Sequence, residues 1–178
     1  MRILAAGYAS MQRYARYLAT RLRDGLLDFG LGDWYDVGPK PPGEAQWTSR
    51  ILTGTAIYCE ILLVLARIAG ILGHGADASR YADGASSATQ AFNARLFDPH
   101  ANRYDRGSMT ANAMPLAIGL VPAVRRAAVL ANLGESVRDR VRKLPLRDPR
   151  HQPAFGLART PTNRSSPVLS SRIAYRNG

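Results

Sequence analysis

A chain of 178 residues and 19.4 kDa is long enough for one domain with a buried core, and its apolar (46%) and charged (21%) fractions are those of a globular protein. The single cysteine, Cys59, excludes an intrachain disulfide, and His74, His100 and His151 stand too far apart for a metal site, so neither metal nor cofactor is expected. The net charge of +11 invites a polyanionic partner, but from Val141 onward eight basic residues face one acid, Asp148; the first 140 residues carry only +4, and no specific nucleic-acid partner is expected.

The chain opens with Tyr8, Met11, Ala15, Leu18 and Leu22 at helical spacing, with arginines mostly on other faces. This predicts a first helix over about Gly7 to Asp24, ended by Gly25. Met1 to Arg23 is basic, amphipathic and free of acids, but has no continuous apolar run of a secretory signal, so it reads as an ordinary helix of a cytoplasmic protein.

Gly25 to Trp47 forms a connection of a length that is usually functional or disordered, and Pro39, Pro41 and Pro42 stiffen this one. Within it, Gly30-Leu31-Gly32-Asp33-Trp34-Tyr35-Asp36-Val37-Gly38-Pro39 packs two carboxylates and two aromatics into a turn-rich stretch. Aromatic and acidic side chains together suit a sugar: the ring covers the C–H face, and the carboxylate accepts hydrogen bonds from hydroxyls. The plain alternative is a helix connection with a buried Trp and two solvated Asp residues.

Thr48 or Ser49 can cap a second helix through Ile51, Leu52, Ala56, Ile57, Leu62, Leu65, Ile68 and Leu72. It is apolar on nearly all sides and should pack on more than one face. Glu60 and Arg67 at its centre mark a buried core helix, so no membrane partner is expected. After Gly73-His74-Gly75, a third helix from near Asp77 carries Tyr81, Ala85, Ala88, Phe92 and Leu96 on one stripe. A turn follows at Asp98 to Asn102, then a briefly extended Arg103-Tyr104-Asp105. Ser108 or Thr110 opens a short fourth helix, with Pro115 better suited to its first turn than its interior. Pro122 starts a fifth, with Val124, Ala128, Leu130, Leu133 and Val137 as its inner face. The fold class is all-α, about five helices in antiparallel hairpins.

Residues 141–178 follow another pattern. Prolines recur among Arg and Ser without helical or strand period, which predicts a disordered basic tail or text read out of frame from a GC-rich gene, outside the domain of residues 1–140.

Four phrases together resemble one family: Gly30 to Pro39; Leu52-Thr53-Gly54-Thr55-Ala56-Ile57-Tyr58; Ala91-Phe92-Asn93-Ala94-Arg95-Leu96-Phe97-Asp98; and Thr110-Ala111-Asn112-Ala113-Met114-Pro115-Leu116-Ala117. Their order and spacing look like the catalytic domain of bacterial α-L-rhamnosidases, glycoside hydrolase family 78, over about Tyr8 to Arg140. The resemblance implies a partial (α/α)6 six-hairpin barrel, a sugar pocket lined by inter-helix loops, and inverting hydrolysis of terminal α-L-rhamnosides by two Glu residues. An acid-bearing Asp-Glu-Arg-x-Gly-Trp type motif is absent from this sequence, and the basic tail stands where the base would be. No catalytic residue carries over, and the expectation is a fragment inactive by itself. Asp33 and Trp34 match the sugar-contacting loop, with Tyr35 and Asp36 as further substrate-binding candidates; the partner implied is a rhamnose-containing glycoside. A weak carbohydrate-binding remnant and a basic nucleic-acid binder acting through the tail are the alternatives.

Asp33 and Asp36 lie three residues apart on one loop, so they flank one side of a ligand rather than the opposite faces that an acid and base must occupy. Glu44 belongs to the loop, Glu60 to the rim or core of an apolar helix, and Trp47 to hairpin packing or sugar stacking.

Overall fold

The structure is a computed structural model that describes residues 2–33, 40, 41, 43 and 45–143. Five helices and one pair of two-residue strands account for its regular structure: α1 (Arg2–Ala19), α2 (Arg50–Ile71), α3 (Gly75–Leu96), β1 (Phe97–Asp98), β2 (Arg103–Tyr104), α4 (Met109–Ile118) and α5 (Arg126–Lys143). A 3-10 turn, Ala123–Arg125, leads into α5. The expected tail lies outside the described residues, apart from Val141–Lys143, which continue α5.

α2 is the axis of this unit and packs against α1, α3 and α4. Ser49 caps it, accepting a hydrogen bond from the Leu52 amide, one of the four donors that a helix start leaves open. Leu52, Ala56, Cys59 and Leu65 are fully buried along it, while Ile57, Val64 and Ile71, seven residues apart, remain exposed. Its length and apolar composition would allow it to cross a membrane, yet more than half of it is buried against its neighbours, as befits a core helix. Three residues, Leu72–His74, turn the chain into α3, which must therefore run antiparallel to α2. Tyr81, Ala85, Ala88 and Phe92 are the buried stripe of α3, as their spacing predicts. β1 and β2 pair antiparallel, Phe97 with Tyr104 and Asp98 with Arg103. Tyr104 is wholly buried against Phe92 and Phe97, at ring-centroid distances of 5.4 and 5.0 Å.

Three expectations shift. The first helix begins at Arg2 and ends at Ala19 rather than spanning Gly7 to Asp24, because Ile3 to Ala6 are good helix formers and Gly7 sits in open space. At the other end the Thr20 hydroxyl donates to the Tyr17 carbonyl at 2.7 Å, competing with the helical ladder. Pro115 stands inside α4, not in its first turn; Ser108 caps that helix, and Gly119, at φ 85°, closes it, with the Gly119 and Leu120 amides both donating to the Pro115 carbonyl. The inner face of α5 consists of Ala128, Val129 and Leu133, whereas Val124, Leu130 and Val137 are 88%, 58% and 43% exposed. At 100° per residue Leu133 stands about 40° round from the buried Val129, whereas Val137 and Leu130 stand about 80° and 100° round, toward solvent; Val124 precedes α5, in the 3-10 turn.

Candidate functional site

The long connection between α1 and α2 is held against α2 by backbone contacts. Residues 23–26 form a tight turn, with Arg23 and Leu26 exchanging both backbone hydrogen bonds at 2.8 and 2.9 Å. Leu27, now buried, donates its amide to the Thr55 hydroxyl at 2.9 Å. The carbonyls of Leu27 and Phe29 press on Gly54, where a Cβ would lie 2.5 and 3.0 Å from the two oxygens. The Thr-Gly-Thr-Ala stretch is therefore the seat of the loop. Gly32, at φ 74°, then turns the chain beside Ala45; a side chain there would meet strain and a contact at 2.7 Å.

This path delivers Asp33 to the place where the starts of α2 and α4 meet. Thr48, fully buried, donates its hydroxyl to the Asp33 carboxylate (3.4 Å) and lies 2.6 Å from the Ser108 hydroxyl. With the Thr48 proton on Asp33, Ser108 is the donor of the second bond, and its oxygen accepts the Ala111 amide at 3.0 Å. The relay Ser108–Thr48–Asp33 thus fixes a half-buried carboxylate at the junction of two helix N-termini, where the backbone dipoles favour negative charge. Beside it, the Asp105 carboxylate accepts the Ser49 amide at 2.7 Å, and Arg106 donates to the Gln46 carbonyl at 2.6 Å, tying the strand pair to the loop.

Trp34, Tyr35 and Asp36, the other substrate-binding candidates, lie outside the described residues, as does Glu44. Trp47 is half exposed, and Glu60 is exposed on α2.

The strand pair is clasped from two sides by asparagines. Asn93 accepts the Tyr104 hydroxyl at 2.6 Å and donates to the Leu120 carbonyl at 2.9 Å. Asn112, fully buried, accepts the Tyr104 amide at 2.9 Å, while its Nδ2 has no partner among the described residues. Burial pushes the Tyr104 phenol well above its ordinary range, so it is a fixed hydrogen-bond donor and not a proton source.

A cleft of about 350 Å³ opens between the start of α2 and the strand pair, lined by Ser49, Ile51, Arg95, Phe97, Asp98 and Asp105. Asp33 does not line it. Its two carboxylates already hold backbone amides: Asp105 that of Ser49, Asp98 those of His100 and Ala101 at 2.9 and 3.1 Å. The Ala101 and His100 amides keep the Asp98 carboxyl below its usual range. Both carboxylates thus anchor backbone around the cleft. Among the described residues, no His, Cys, Asp and Glu side chains cluster in a way that could hold a metal ion.

Sequence reasoning identified Ser49 and Ser108 as candidate caps, and it missed their coupling through Thr48 and the role of Asp105. Those bonds join residues 15 to 60 positions apart. Only the presence of Thr48, Asn93 and Asn112 in or beside the four quoted phrases pointed toward them.

The profile of the bacterial α-L-rhamnosidase six-hairpin glycosidase domain matches residues 1–146. Among solved structures, an α-L-rhamnosidase from Dictyoglumus thermophilum is similar at 28% identity and TM-score 0.71, over 78% of this chain and 16% of its own. The Streptomyces avermitilis α-L-rhamnosidase, solved in complex with L-rhamnose, is similar at 24% identity and TM-score 0.68, over 79% and 13%. That of Aspergillus terreus is similar at 23% and 0.69, over 76% and 16%. The chain thus spans about a sixth of the length of the solved enzymes it resembles. No curated protein shows a significant match.

Proposed function

The chain belongs to the family of bacterial α-L-rhamnosidase six-hairpin glycosidase domains, and from that premise we propose that it forms one wall of the rhamnose pocket of an α-L-rhamnosidase-type glycoside hydrolase. The ligand is the terminal α-L-rhamnosyl unit of a glycoside. The observation that carries this reading is the Ser108–Thr48–Asp33 relay at the joined starts of α2 and α4. A carboxylate held by a buried hydroxyl is already oriented before a sugar arrives, so its remaining lone pairs can accept ligand hydroxyls without a further ordering cost. Trp34, Tyr35 and Asp36 complete the wall in this proposal, the rings against the sugar's C–H face and Asp36 on a second hydroxyl.

In this reading the wall orients the sugar and leaves cleavage to groups beyond these residues. Inverting hydrolysis requires two carboxyl groups about 6.5–9.5 Å apart on opposite sides of the scissile bond, one of them protonated at working pH. Asp33 and Asp36, three residues apart on one loop, serve one side only.

The test is titration of the chain with L-rhamnose, with L-fucose as control, followed by amide chemical shifts. Rhamnose should perturb residues around Asp33, Thr48 and Ser108, and Asp33→Ala should abolish the response. Thr48→Val, which leaves the carboxylate unaimed, should weaken binding about three- to tenfold, in keeping with roughly 0.5–1.5 kcal/mol for one hydrogen bond. Equal responses from the wild type and Asp33→Ala would overturn the proposal.

A further inference from the structure

One face of α2 is left bare, and its residues are patterned. Ile57, Glu60, Val64, Arg67 and Ile71 are all exposed on a helix that is otherwise mostly buried. The three apolar members keep 44%, 36% and 52% of their surface in solvent. At 100° per residue all five fall within an arc of about 80°, opposite the buried Leu62 and Ala69. Neither Glu60 nor Arg67 takes part in an ion pair or a side-chain hydrogen bond among the described residues.

Ile57, Val64 and Ile71 recur every seventh residue, and Glu60 and Arg67 each stand three residues after an apolar one. This is the spacing with which one helix meets another: a row of β-branched side chains, with a second row beside it. Seven residues fall about 20° short of two full turns, so the row drifts slowly round α2, and a partner helix follows it with a slight left-handed winding.

The charges identify the partner. A bilayer would accept the apolar row but strand Glu60 and Arg67 in hydrocarbon. A second copy of α2, antiparallel and related by a two-fold axis at Val64, satisfies all five residues. Val64 then meets its own copy, and Ile57 meets Ile71. Glu60 comes opposite position 68, one residue from Arg67, so the two charges lie within about 1.5 Å of level along the helix. Such a two-fold operation keeps each row on its own side, apolar facing apolar and charged facing charged. A parallel pair would instead set Glu60 on Glu60 and Arg67 on Arg67.

We propose that the chain forms an antiparallel homodimer through this face of α2, with two Glu60–Arg67 ion pairs beside an apolar row centred on Val64. The helix has 22 residues, a length of about 33 Å at its usual rise. A strip of that length and one helix wide is a small interface, so the dimer is weak and shows at high micromolar concentration. It stands apart from the rhamnose reading above, because Asp33, Thr48 and Ser108 do not belong to the face.

The experiment is sedimentation velocity of the full chain over a concentration series. The wild type should pass from monomer to dimer as concentration rises. Val64→Asp, which sets two carboxylates on the axis, should weaken the dimer at least tenfold. Glu60→Arg sets arginines against arginines, and Arg67→Glu sets carboxylates against carboxylates, so each alone should weaken it at least fivefold. Mixed in equal amounts, these two variants present only opposite charges across the axis and should associate within twofold of the wild type. That recovery also shows that both are folded. A wild type still monomeric at about 1 mM would overturn the proposal and leave the face to a helix of another protein. Undiminished association of the single charge variants, or no recovery in their mixture, would overturn it too, since the charges would then have no part in choosing the partner.

Discussion

Gly54 shows how one missing methyl group positions a loop. Two backbone carbonyls occupy the space its Cβ would fill, the nearer at 2.5 Å, and backbone cannot swing aside as a long side chain can. In an open helix, Gly→Ala would gain about 1 kcal/mol; here overpacking costs about 1–3 kcal/mol and should outweigh it. Gly54→Ala is therefore expected to lower the midpoint of urea unfolding, and a raised midpoint would show that the loop does not bear on α2. Five residues further along, Cys59 is fully buried, and burial pushes its thiol up to about 11. Iodoacetamide attacks the thiolate, so the folded chain at pH 8 should resist labelling and react only as it unfolds in urea. Prompt labelling without denaturant would mean that α2 is not packed as described. The phrase around Gly54 was legible in the sequence as a resemblance. Its physical reason was not, because the carbonyls that explain it come from residues 27 and 29, across a turn that no helical periodicity records.

Helices α1 and α3 meet at a polar latch remote from the candidate site. Asp77, in the first turn of α3, accepts the Tyr8 hydroxyl at 2.8 Å and the Gln12 amide at 2.9 Å from α1, and pairs with Arg80 at 2.8 Å. The His74 ring stacks on Tyr8, with 5.4 Å between centroids. The Tyr8 hydroxyl, then the Arg80 charge and Gln12, hold the Asp77 carboxyl below its usual range. A depressed carboxyl stabilises the fold above its unfolded pKa and ceases to do so as pH falls through the folded value, so this contribution should fade below about pH 4. Tyr8 moves the other way: burial, then the Asp77 bond, raise it to about 12, and its contribution is intact below pH 10 and lost as pH rises toward 12. Melting temperatures of the wild type and Tyr8→Phe should differ at neutral pH and converge near pH 3. Parallel curves down to pH 3 would show that the latch does not hold α1. At this scale the sequence was most informative where periodicity ran unbroken, as in α3, where Tyr81, Ala85, Ala88 and Phe92 of the expected stripe are buried and Leu96 is partly so. It was least so in α5, where the counted face took in Leu130, about 100° round the helix from the buried Val129.

For the whole unit, the all-α class and five-helix order were readable because each helix carries its own apolar period, and α2 and α4 their serine caps, whereas the site joins residues far apart in the chain. That same arrangement bears on catalysis. Near the shared starts of α2 and α4, Asp105 holds the Ser49 amide, Asp98 holds two amides of its own turn, Asp28 pairs with Arg50 at 3.2 Å, and Asp33 is aimed by Thr48. Each of these carboxylates is engaged by a donor, and the two amides of its own turn hold the Asp98 carboxyl below its usual range. A general acid needs the opposite, a carboxyl kept protonated near neutral pH by an apolar pocket or a like charge. In the proposed reading these residues receive a sugar and leave protonation of its leaving group to other groups. Assayed with an aryl α-L-rhamnoside from pH 4 to 8, the chain alone should release the aryl group no faster than buffer does. Binding of L-rhamnose, measured on the same preparation, separates a folded wall lacking an acid from a chain that has not folded. Turnover that disappears in Asp33→Ala would contradict this, since it would require Asp33 and its neighbours to supply both acid and base from one side of the ring.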